Sequence, residues 1–293
     1  MNTDDLIGAS LSHWRMSGAK TEVIRDETYL NPVVKIIQDE HIYILKGIPE
    51  RKPEEAIIGC VSAHKYLGNK GIAPRIIPLP DGRLYAHDSG YWLYLVEFID
   101  GRQAKPTPED EYTLGKLARQ LHSITDYDRE AWFSEDKSCF YEWYDDKPFK
   151  AEFDKTLDEL CDFSKLDRCF IHTDLGPHNA MIRQDGSTVL IDLDDAGMGS
   201  KWIDLGLTFI TWFVEKDDKM NLWYRFDLAK AFLRGYYGDD IPREEYDLIW
   251  QGAIFTHIKY MKVFTYASED DLWKILKFGV AQKEKLWEQL KTV

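Results

Sequence analysis

The feature that most constrains this chain is a pair of polar segments that each follow an apolar run. The first reads His-Thr-Asp-Leu-Gly-Pro-His-Asn over residues 172–179 and follows the apolar residues 169–171. Asn179 lies five residues after Asp174, and Asp192 lies thirteen residues after Asn179, at the end of the apolar run 189–191. A carboxylate at the end of an apolar segment is held rigidly. Asp174, Asn179 and Asp192 are therefore candidates for a role in catalysis.

An acid, an amide and a second acid in this order supply what phosphoryl transfer requires. Asp174 is the candidate catalytic base, because a carboxylate must accept the proton of the attacking hydroxyl. Asn179 and Asp192 are candidate metal ligands, because Mg²⁺ prefers hard oxygen donors. Protein kinases carry a comparable arrangement, H-R-D-x-x-x-x-N followed later by D-F-G.

The two segments, H-T-D-L-G-P-H-N and I-D-L-D-D, resemble those of the aminoglycoside phosphotransferase and choline kinase-like family of small-molecule kinases. That group also includes homoserine and methylthioribose kinases. The resemblance runs from about Asn31 to about Tyr237. It implies a protein-kinase-like fold, ATP and Mg²⁺ as cofactors, and a small-molecule hydroxyl as the acceptor.

The order of secondary structure along the chain predicts an α+β fold with two lobes. Two β-branched runs separated by the polar residues 38–40 indicate a hairpin, a helix is expected from Pro53, and residues 91–99 form a long apolar strand. From Pro108 onwards helical patterns dominate. We therefore expect a small β-rich nucleotide-binding lobe at residues 1–99 and a larger, mainly helical lobe for catalysis and acceptor binding at 100–293.

The resemblance assigns Lys46 to the lysine that pairs with nucleotide phosphates, since it ends a strand and precedes a helix. A glutamate of that helix usually pairs with this lysine. Aligned on residues 71–74, the chain instead has Cys60 near the expected place, and Glu54 and Glu55 lie about one and a half turns earlier. Either Glu55 replaces the usual glutamate, or the phosphates are positioned without this ion pair.

Three further nucleotide contacts follow from the resemblance. The turn that covers the phosphates falls within residues 27–31, where Asn31 resembles an asparagine often found there. The strand end at residues 96–99 resembles the segment that joins the lobes and reads adenine through its backbone. Glu97 and Ile99 are therefore expected to contact the nucleotide, whether it is ATP or GTP.

Four polar residues near the motifs have less specific predictions. In an extended segment Asp194 projects to the same side as Asp192, so Asp194 and Asp195 are candidates for a second metal or for the substrate; a solvated acidic loop is the alternative. His172 is expected to support the loop backbone through its ring. Asp204 matches a recurrent family aspartate at a helix entry, where it caps the helix or braces the catalytic loop.

The acceptor site is the least defined part of the sequence. Residues 139–149 interleave aromatic and acidic side chains, a combination that suits an ammonium group through cation–π contact. The alternative is that these aromatics pack between helices, and Trp212 is likewise expected in the core. An amine-bearing acceptor such as an aminoglycoside, an amino alcohol or an amino acid is the hypothesis.

Composition limits the partners. The formal net charge of −14 disfavours nonspecific binding to nucleic acid, which depends on Lys and Arg. No apolar run approaches the ~20 residues of a membrane span. The acidic start and four cysteines without a C-x-x-C pair favour a reduced, cytoplasmic protein. The sequence leaves the oligomeric state open.

Two other functions remain compatible with the motifs. One is a Ser/Thr protein kinase of the bacterial stress-response type, although Asp204 lies only twelve residues after Asp192, which is short for an activation segment. The other is a nucleotide-binding pseudoenzyme or a spore-coat-type structural protein. The intact set of Asp174, Asn179 and Asp192 disfavours this second alternative.

Overall fold

The structure, a computed structural model, describes residues 11–16, 18–25, 31–264 and 266–291, and it divides into two compact units. The first unit holds residues up to Arg102 together with 181–196, and the second holds 103–180 and 197 onwards. These units are not the continuous segments 1–99 and 100–293 expected from sequence. Residues 181–196 join the first unit, where the amide of Leu190 donates to the carbonyl of Ile72 (2.8 Å).

The first unit is built on an antiparallel sheet in the order β1-β2-β3-β6-β4, with β5 also paired to β6. Its strands are β1 (Lys20–Arg25), β2 (Val33–Gln38), β3 (His41–Pro49), β4 (Ile76–Ile77), β5 (Ala86–Asp88) and β6 (Tyr91–Glu97), and its long helix is α1 (Glu54–Asn69). A second sheet has the order β10-β9-β7, from β7 (Gly101–Gln103), β9 (Ala180–Arg183) and β10 (Thr188–Leu190). The expected hairpin is β2–β3, which turns tightly at Asp39 (φ 54°).

Strand alternation decides which side chains of β3 face helix α1. Leu45 packs into the cluster on one face of the sheet together with Trp14. Successive residues of a strand point to opposite faces, so Lys46 lies on the other side. Its direct partner on β6 is Tyr94, which packs with Cys60 of α1. The strand register therefore brings Lys46 and Tyr94 together beneath the helix.

The second unit is mainly helical. Its helices are α2 (Pro108–His122), α3 (Lys150–Glu159), α4 (Lys201–Thr211), α5 (Phe226–Tyr237), α6 (Arg243–Met261), α7 (Glu269–Val280) and α8 (Lys283–Lys291). Two short antiparallel pairs accompany them, β8 (Arg168–Ile171) with β11 (Gly197–Ser200), and β12 (Val214–Lys216) with β13 (Leu222–Tyr224).

Glycines set the spacing between two pairs of helices in this unit. A Cβ atom at Gly206 of α4 would lie 2.2 Å from the carbonyl carbon of Gly252 in α6, and one at Gly252 would lie 1.9 Å from the carbonyl oxygen of Trp202. Gly115 of α2 and Gly235 of α5 meet the opposing backbone in the same way. Any larger residue at these positions would force the helices apart.

The predicted fold class, α+β with a β-rich first part and a larger helical second part, is confirmed. Each unit thus supplies a distinct type of scaffold, a sheet for Lys46 and packed helices for residues 172–179. Within the described residues, every helix is too short or too polar to cross a membrane.

Glu111 of α2 is a buried acid that lacks a hydrogen-bond partner among the described residues. Its side chain is 1% exposed, and neither carboxylate oxygen has a hydrogen-bond partner among the described residues. Burial raises its pKa to about 8, with a smaller contribution from Asp110, and the attraction of Arg225 offsets only part of the shift. The folded protein therefore keeps this carboxyl protonated at pH values where the unfolded chain, with a pKa of 4.5, has released the proton.

Glu111 should make the protein lose stability as pH rises. Because the folded pKa lies above the unfolded one, the free energy of unfolding falls between about pH 4.5 and about pH 8, by up to about 5 kcal/mol in total. Glu111→Gln removes the titration, so its urea-unfolding free energy should decline less over this range. Glu109→Gln, at an exposed position of the same helix, is the control. Equal pH slopes for the wild type and Glu111→Gln would contradict the prediction.

Candidate active site

The segment 172–179, called the HTD loop below, follows directly from β8. Strand β11 pairs antiparallel with β8, so that Gly197 lies opposite Ile171 at the point where the loop begins. The loop ends in a short 3₁₀ turn at Pro177–Asn179. The apolar segment before Asp174 thus forms a buried strand.

Asp204 binds the backbone at the start of the HTD loop. Its side chain is fully buried, and its two carboxylate oxygens accept hydrogen bonds from the backbone amides of His172 and Thr173, both at 2.6 Å. His122 contacts the same carboxylate at 3.1 Å. Asp204 therefore binds the backbone at the start of the loop and the ring of His122 at the same time.

Thr173 adopts a backbone conformation that costs energy. Its φ of 73° is unusual for a β-branched residue. The Asp204 carboxylate fixes its amide, and the hydroxyl of Tyr260 donates to its carbonyl (3.1 Å). The Nδ1 atom of the buried His172 accepts from the amide of Asp174 (3.3 Å), so this ring contacts the loop backbone.

The carboxylate of Asp174 is oriented by its own loop. Its Oδ2 accepts from Nδ2 of Asn179 (2.9 Å) and lies 3.0 Å from Nε2 of His178. Asn179 also donates to the backbone carbonyl of Asp174 (2.9 Å). Because Nδ2 of Asn179 is turned towards Asp174, Oδ1 is the atom of this amide suited to bind a metal.

A cavity of about 400 Å³ lies against Asp174 within the second unit. It is lined by Asp174, His178, Leu207, Thr211, Trp212, Tyr260, Phe264 and Tyr266. The rings of His178 and Trp212 lie 4.5 Å apart, and those of Tyr260 and Phe264 are stacked at 5.6 Å. The cavity therefore combines aromatic faces with one carboxylate.

Sequence reasoning missed most of this lining. Trp212 was expected in the core, but it closes helix α4 and faces the cavity. Tyr260 and Phe264 stand at the end of α6, where the helical pattern gives no sign of which side chains will border a cavity. Besides Asp174 itself, His178 is the lining residue with a sequence signal, since it lies next to Asn179.

The aromatic and acidic segment 139–149 lies elsewhere. Phe140, Tyr144 and Phe149 are between 2% and 8% exposed, and Phe149 stacks on Trp273 at 5.1 Å. No residue of this segment is among those that line the cavity. The packing alternative therefore describes these aromatics, which are hydrophobic contacts between helices.

In the first unit, Lys46 forms the centre of a buried polar cluster. It is 8% exposed and forms ion pairs with Asp192 and with Asp194 (3.3 Å). Burial opposes its charge, but the two carboxylates outweigh that effect and hold the pKa of Lys46 above its usual value. Asp192 itself has a positive φ of 65°, which is uncommon for a residue other than glycine.

The helix acids are not the partners of Lys46. Glu54 accepts a hydrogen bond from the hydroxyl of Tyr85 (2.6 Å), and Glu55 is exposed. In the part of the chain that the structure describes, the ion pairs of Lys46 are those with Asp192 and Asp194. The expectation that Glu55 takes the place of the usual helix glutamate is therefore not met.

The other predicted nucleotide residues occupy varied positions. The covering turn at 27–30 lies outside the described residues, while Nδ2 of Asn31 donates to Asp194 (2.6 Å). The amide of Glu97 donates to the carbonyl of Arg75 (2.9 Å), and its carboxylate pairs with the same arginine. Ile99 is 6% exposed. Asp195 pairs with Lys52 (3.3 Å) at the protein surface.

Comparison with known proteins gives a consistent set of relatives. The model of the phosphotransferase enzyme family (APH) matches residues 22–245. A homoserine kinase from Zymomonas mobilis is 28% identical over 241 residues, which cover 77% of this chain and 72% of that protein.

Two solved structures have the same fold. An amicoumacin kinase in complex with AMP-PNP, Ca²⁺ and Ami is 18% identical, with a TM-score of 0.71 over 97% of this chain and 93% of that one. A microcompartment-associated aminopropanol kinase is 19% identical, with a TM-score of 0.66 over 98% of both chains. The resemblance inferred from the two motifs is confirmed, and the chain belongs to the APH phosphotransferase enzyme family.

Proposed function

We propose that the protein is a cytoplasmic kinase that uses ATP and Mg²⁺ to phosphorylate a hydroxyl group of a small molecule. The observation that carries the proposal is the oriented carboxylate of Asp174 at a cavity of about 400 Å³. That volume falls within the range of about 300–1,000 Å³ typical of sites for small ligands. Membership of the phosphotransferase family supports the reaction type.

Asp174 is the proposed catalytic base. As the acceptor oxygen forms its bond to the γ-phosphorus, the bond to ADP breaks and the hydroxyl proton passes to a carboxylate oxygen of Asp174. The hydrogen bond from Asn179 fixes the carboxylate for this transfer. Asp204 and His172 act indirectly, through the loop backbone that carries Asp174.

Asn179 and Asp192 are the proposed metal ligands, on the strength of their spacing from Asp174. Among the described residues, no group of three or more His, Cys, Asp and Glu side chains is placed to hold a metal ion. This fits Mg²⁺, which is usually bound through one or two carboxylates plus substrate phosphates. Asp192 already faces a cation, the ammonium group of Lys46. When bound, Mg²⁺ would neutralise charge on the β- and γ-phosphates.

For the nucleotide, we propose that Lys46 contacts the phosphates, with Asn31 beside it, and that the strand end at Glu97 and Ile99 reads adenine. The amide of Glu97 is already used by Arg75, so the carbonyl of Glu97 and the amide of Ile99 are the groups proposed for the base. The side chain of Glu97 has no part in this contact, since it pairs with Arg75.

The cavity supports an amine-bearing acceptor. Trp212, Tyr260, Phe264 and Tyr266 offer aromatic faces beside the carboxylate of Asp174, and an ammonium group is attracted both by such faces and by a carboxylate. Homoserine and aminopropanol, which appear in the names of two relatives, each carry both an amine and a hydroxyl group. We therefore keep the amine hypothesis but move its site from residues 139–149 to this cavity.

A protein substrate is a weaker candidate. Of the residues between Asp192 and Asp204, Gly197–Ser200 form β11 and Lys201 begins α4. Little chain is left to form an extended peptide-docking segment. A pseudoenzyme is disfavoured because Asp174, Asn179 and Asp192 are all present.

Asp174→Asn should lower turnover by ~10²–10⁴, the usual contribution of a general base, because an amide cannot accept the hydroxyl proton. Phosphoryl transfer to a library of small alcohols is measured as ADP release. Calorimetry should show unchanged affinity for ADP, and circular dichroism an unchanged fold. Activity close to that of the wild type would place the base elsewhere.

Asp192→Ala should change the Mg²⁺ dependence of nucleotide binding, whereas Asp174→Asn changes proton transfer. Without this carboxylate, Mg²⁺ should no longer strengthen nucleotide binding, because the proposed ligand that would hold the charge-neutralising ion beside the phosphates is gone. Affinity for ADP is measured with Mg²⁺ and with EDTA, and Asp88→Asn, at a carboxylate of the same unit that contacts His13, serves as control. An unchanged Mg²⁺ effect in Asp192→Ala would show that the metal assignment is wrong.

Trp212→Leu should raise KM for amine-bearing acceptors by roughly 2–30-fold, the effect of losing a cation–π contact of about 0.5–2 kcal/mol. ADP affinity should be unchanged, and Trp223→Leu, an exposed tryptophan of β13, is the matched control.

Higher salt should weaken binding of amine acceptors, since exposed charges are screened over ~8–10 Å at ~0.1–0.15 M. A preference for neutral sugars or anionic acceptors of similar size would contradict the amine hypothesis.

A further inference from the structure

Helix α1 offers Lys46 a thiol and no carboxylate. Cys60, near the place where the family usually has a glutamate, is 1% exposed and packs with Tyr94 beneath the helix. The acids at the start of the helix are used by Tyr85 or are exposed. A phosphate-binding lysine in this chain must therefore be held by something other than α1.

Four donors converge on the carboxylate of Asp194. Its Oδ1 contacts Nζ of Lys46 (3.3 Å), the hydroxyl of Tyr94 (3.0 Å) and Sγ of Cys60 (3.5 Å), and its Oδ2 accepts from Nδ2 of Asn31 (2.6 Å). The side chain is only 10% exposed. A carboxylate has about four lone-pair sites, so protein donors already occupy this one.

We infer that Asp194 is the positioning residue of Lys46 and takes over the task of the missing helix glutamate. The inference rests on the proposed function and replaces the expectation that Asp194 binds a second metal or the substrate. Asp192 and Asp194 both pair with Lys46. Once Asp192 is used for Mg²⁺, Asp194 is the anion that still holds the ammonium group in place.

The thiol of Cys60 is part of this arrangement. A glutamate at position 60 would bring a second carboxylate into the space beside Oδ1 of Asp194, where the two charges would repel each other. The smaller thiol donates a weak hydrogen bond instead. The thiol at position 60 and the carboxylate of Asp194 are thus compatible with each other, whereas a glutamate at position 60 and Asp194 would not be.

A double-mutant cycle with Lys46→Met tests whether Asp194 acts through Lys46. The readout is the dissociation constant of Mg·ADP by calorimetry, which remains measurable in inactive variants. Asp194→Asn should weaken binding by about tenfold in the wild-type background and by less than about twofold in the Lys46→Met background. If Asp194 were a metal ligand, the factor would be the same in both backgrounds, and the inference would be overturned.

A relocation experiment adds a second test. Cys60→Glu alone should weaken Mg·ADP binding, because it crowds Asp194, but in the Asp194→Asn background it should restore most of the lost affinity by supplying Lys46 with a carboxylate from α1. Cys60→Gln in the same background is the matched control and should restore nothing. Equal effects of Glu and Gln at position 60 would overturn the inference.

Tyr94→Phe covers the case in which Asp194→Asn does not fold. It removes one donor to Asp194 but keeps the carboxylate and the aromatic packing. It should weaken Mg·ADP binding by about two- to threefold, and only when Lys46 is present. The same loss in the Lys46→Met background would count against a role through Lys46. A wild type that binds no nucleotide would instead refute the proposed function itself.

Discussion

The conformation of the HTD loop depends on the buried carboxylate of Asp204. Its oxygens accept from the amides of His172 and Thr173, at the point where β8 gives way to the HTD loop. A charge buried without partners is costly, and here charge-assisted hydrogen bonds from loop amides and the contact with His122 compensate for burial. Those bonds also hold Thr173 at a φ that threonine rarely adopts. The strained turn in the backbone is what carries Asp174 to the cavity wall.

The first unit solves a related problem with the opposite charge. Lys46 lies under α1 because strand register pairs it with Tyr94, and its ammonium group must then be compensated within the sheet and its neighbours. Asp192 and Asp194 do so from a segment that follows β10, far away in sequence. This explains why residues 181–196 belong to the first unit, although the chain enters the helical unit before and after them.

Sequence predicted the parts of the fold and site that depend on local order. Three features each depend on a short stretch of chain: the spacing of Asp174, Asn179 and Asp192, the β2–β3 hairpin, and the helix after Pro53. Contacts that depend on tertiary packing were not accessible. Helical periodicity places Trp212 on an apolar face but cannot tell a core from a cavity. Likewise, the alternation of side chains along an extended segment puts Asp194 on the same side as Asp192. It does not reveal that the hydroxyl of Tyr94, a hundred residues away in sequence, donates a hydrogen bond to the carboxylate of Asp194.

The division of tasks within the second unit explains how one scaffold can serve different acceptors. Asp204 fixes the HTD loop through backbone amides, which exist whatever the side chains are. The cavity, by contrast, is lined by side chains at helix ends, such as Trp212 after α4 and Phe264 after α6. Changing those side chains would reshape the cavity proposed for the acceptor without changing the hydrogen bonds that orient Asp174, the proposed base. If both proposals hold, the choice of acceptor is separable from the catalytic geometry, and the family fold by itself does not specify the acceptor.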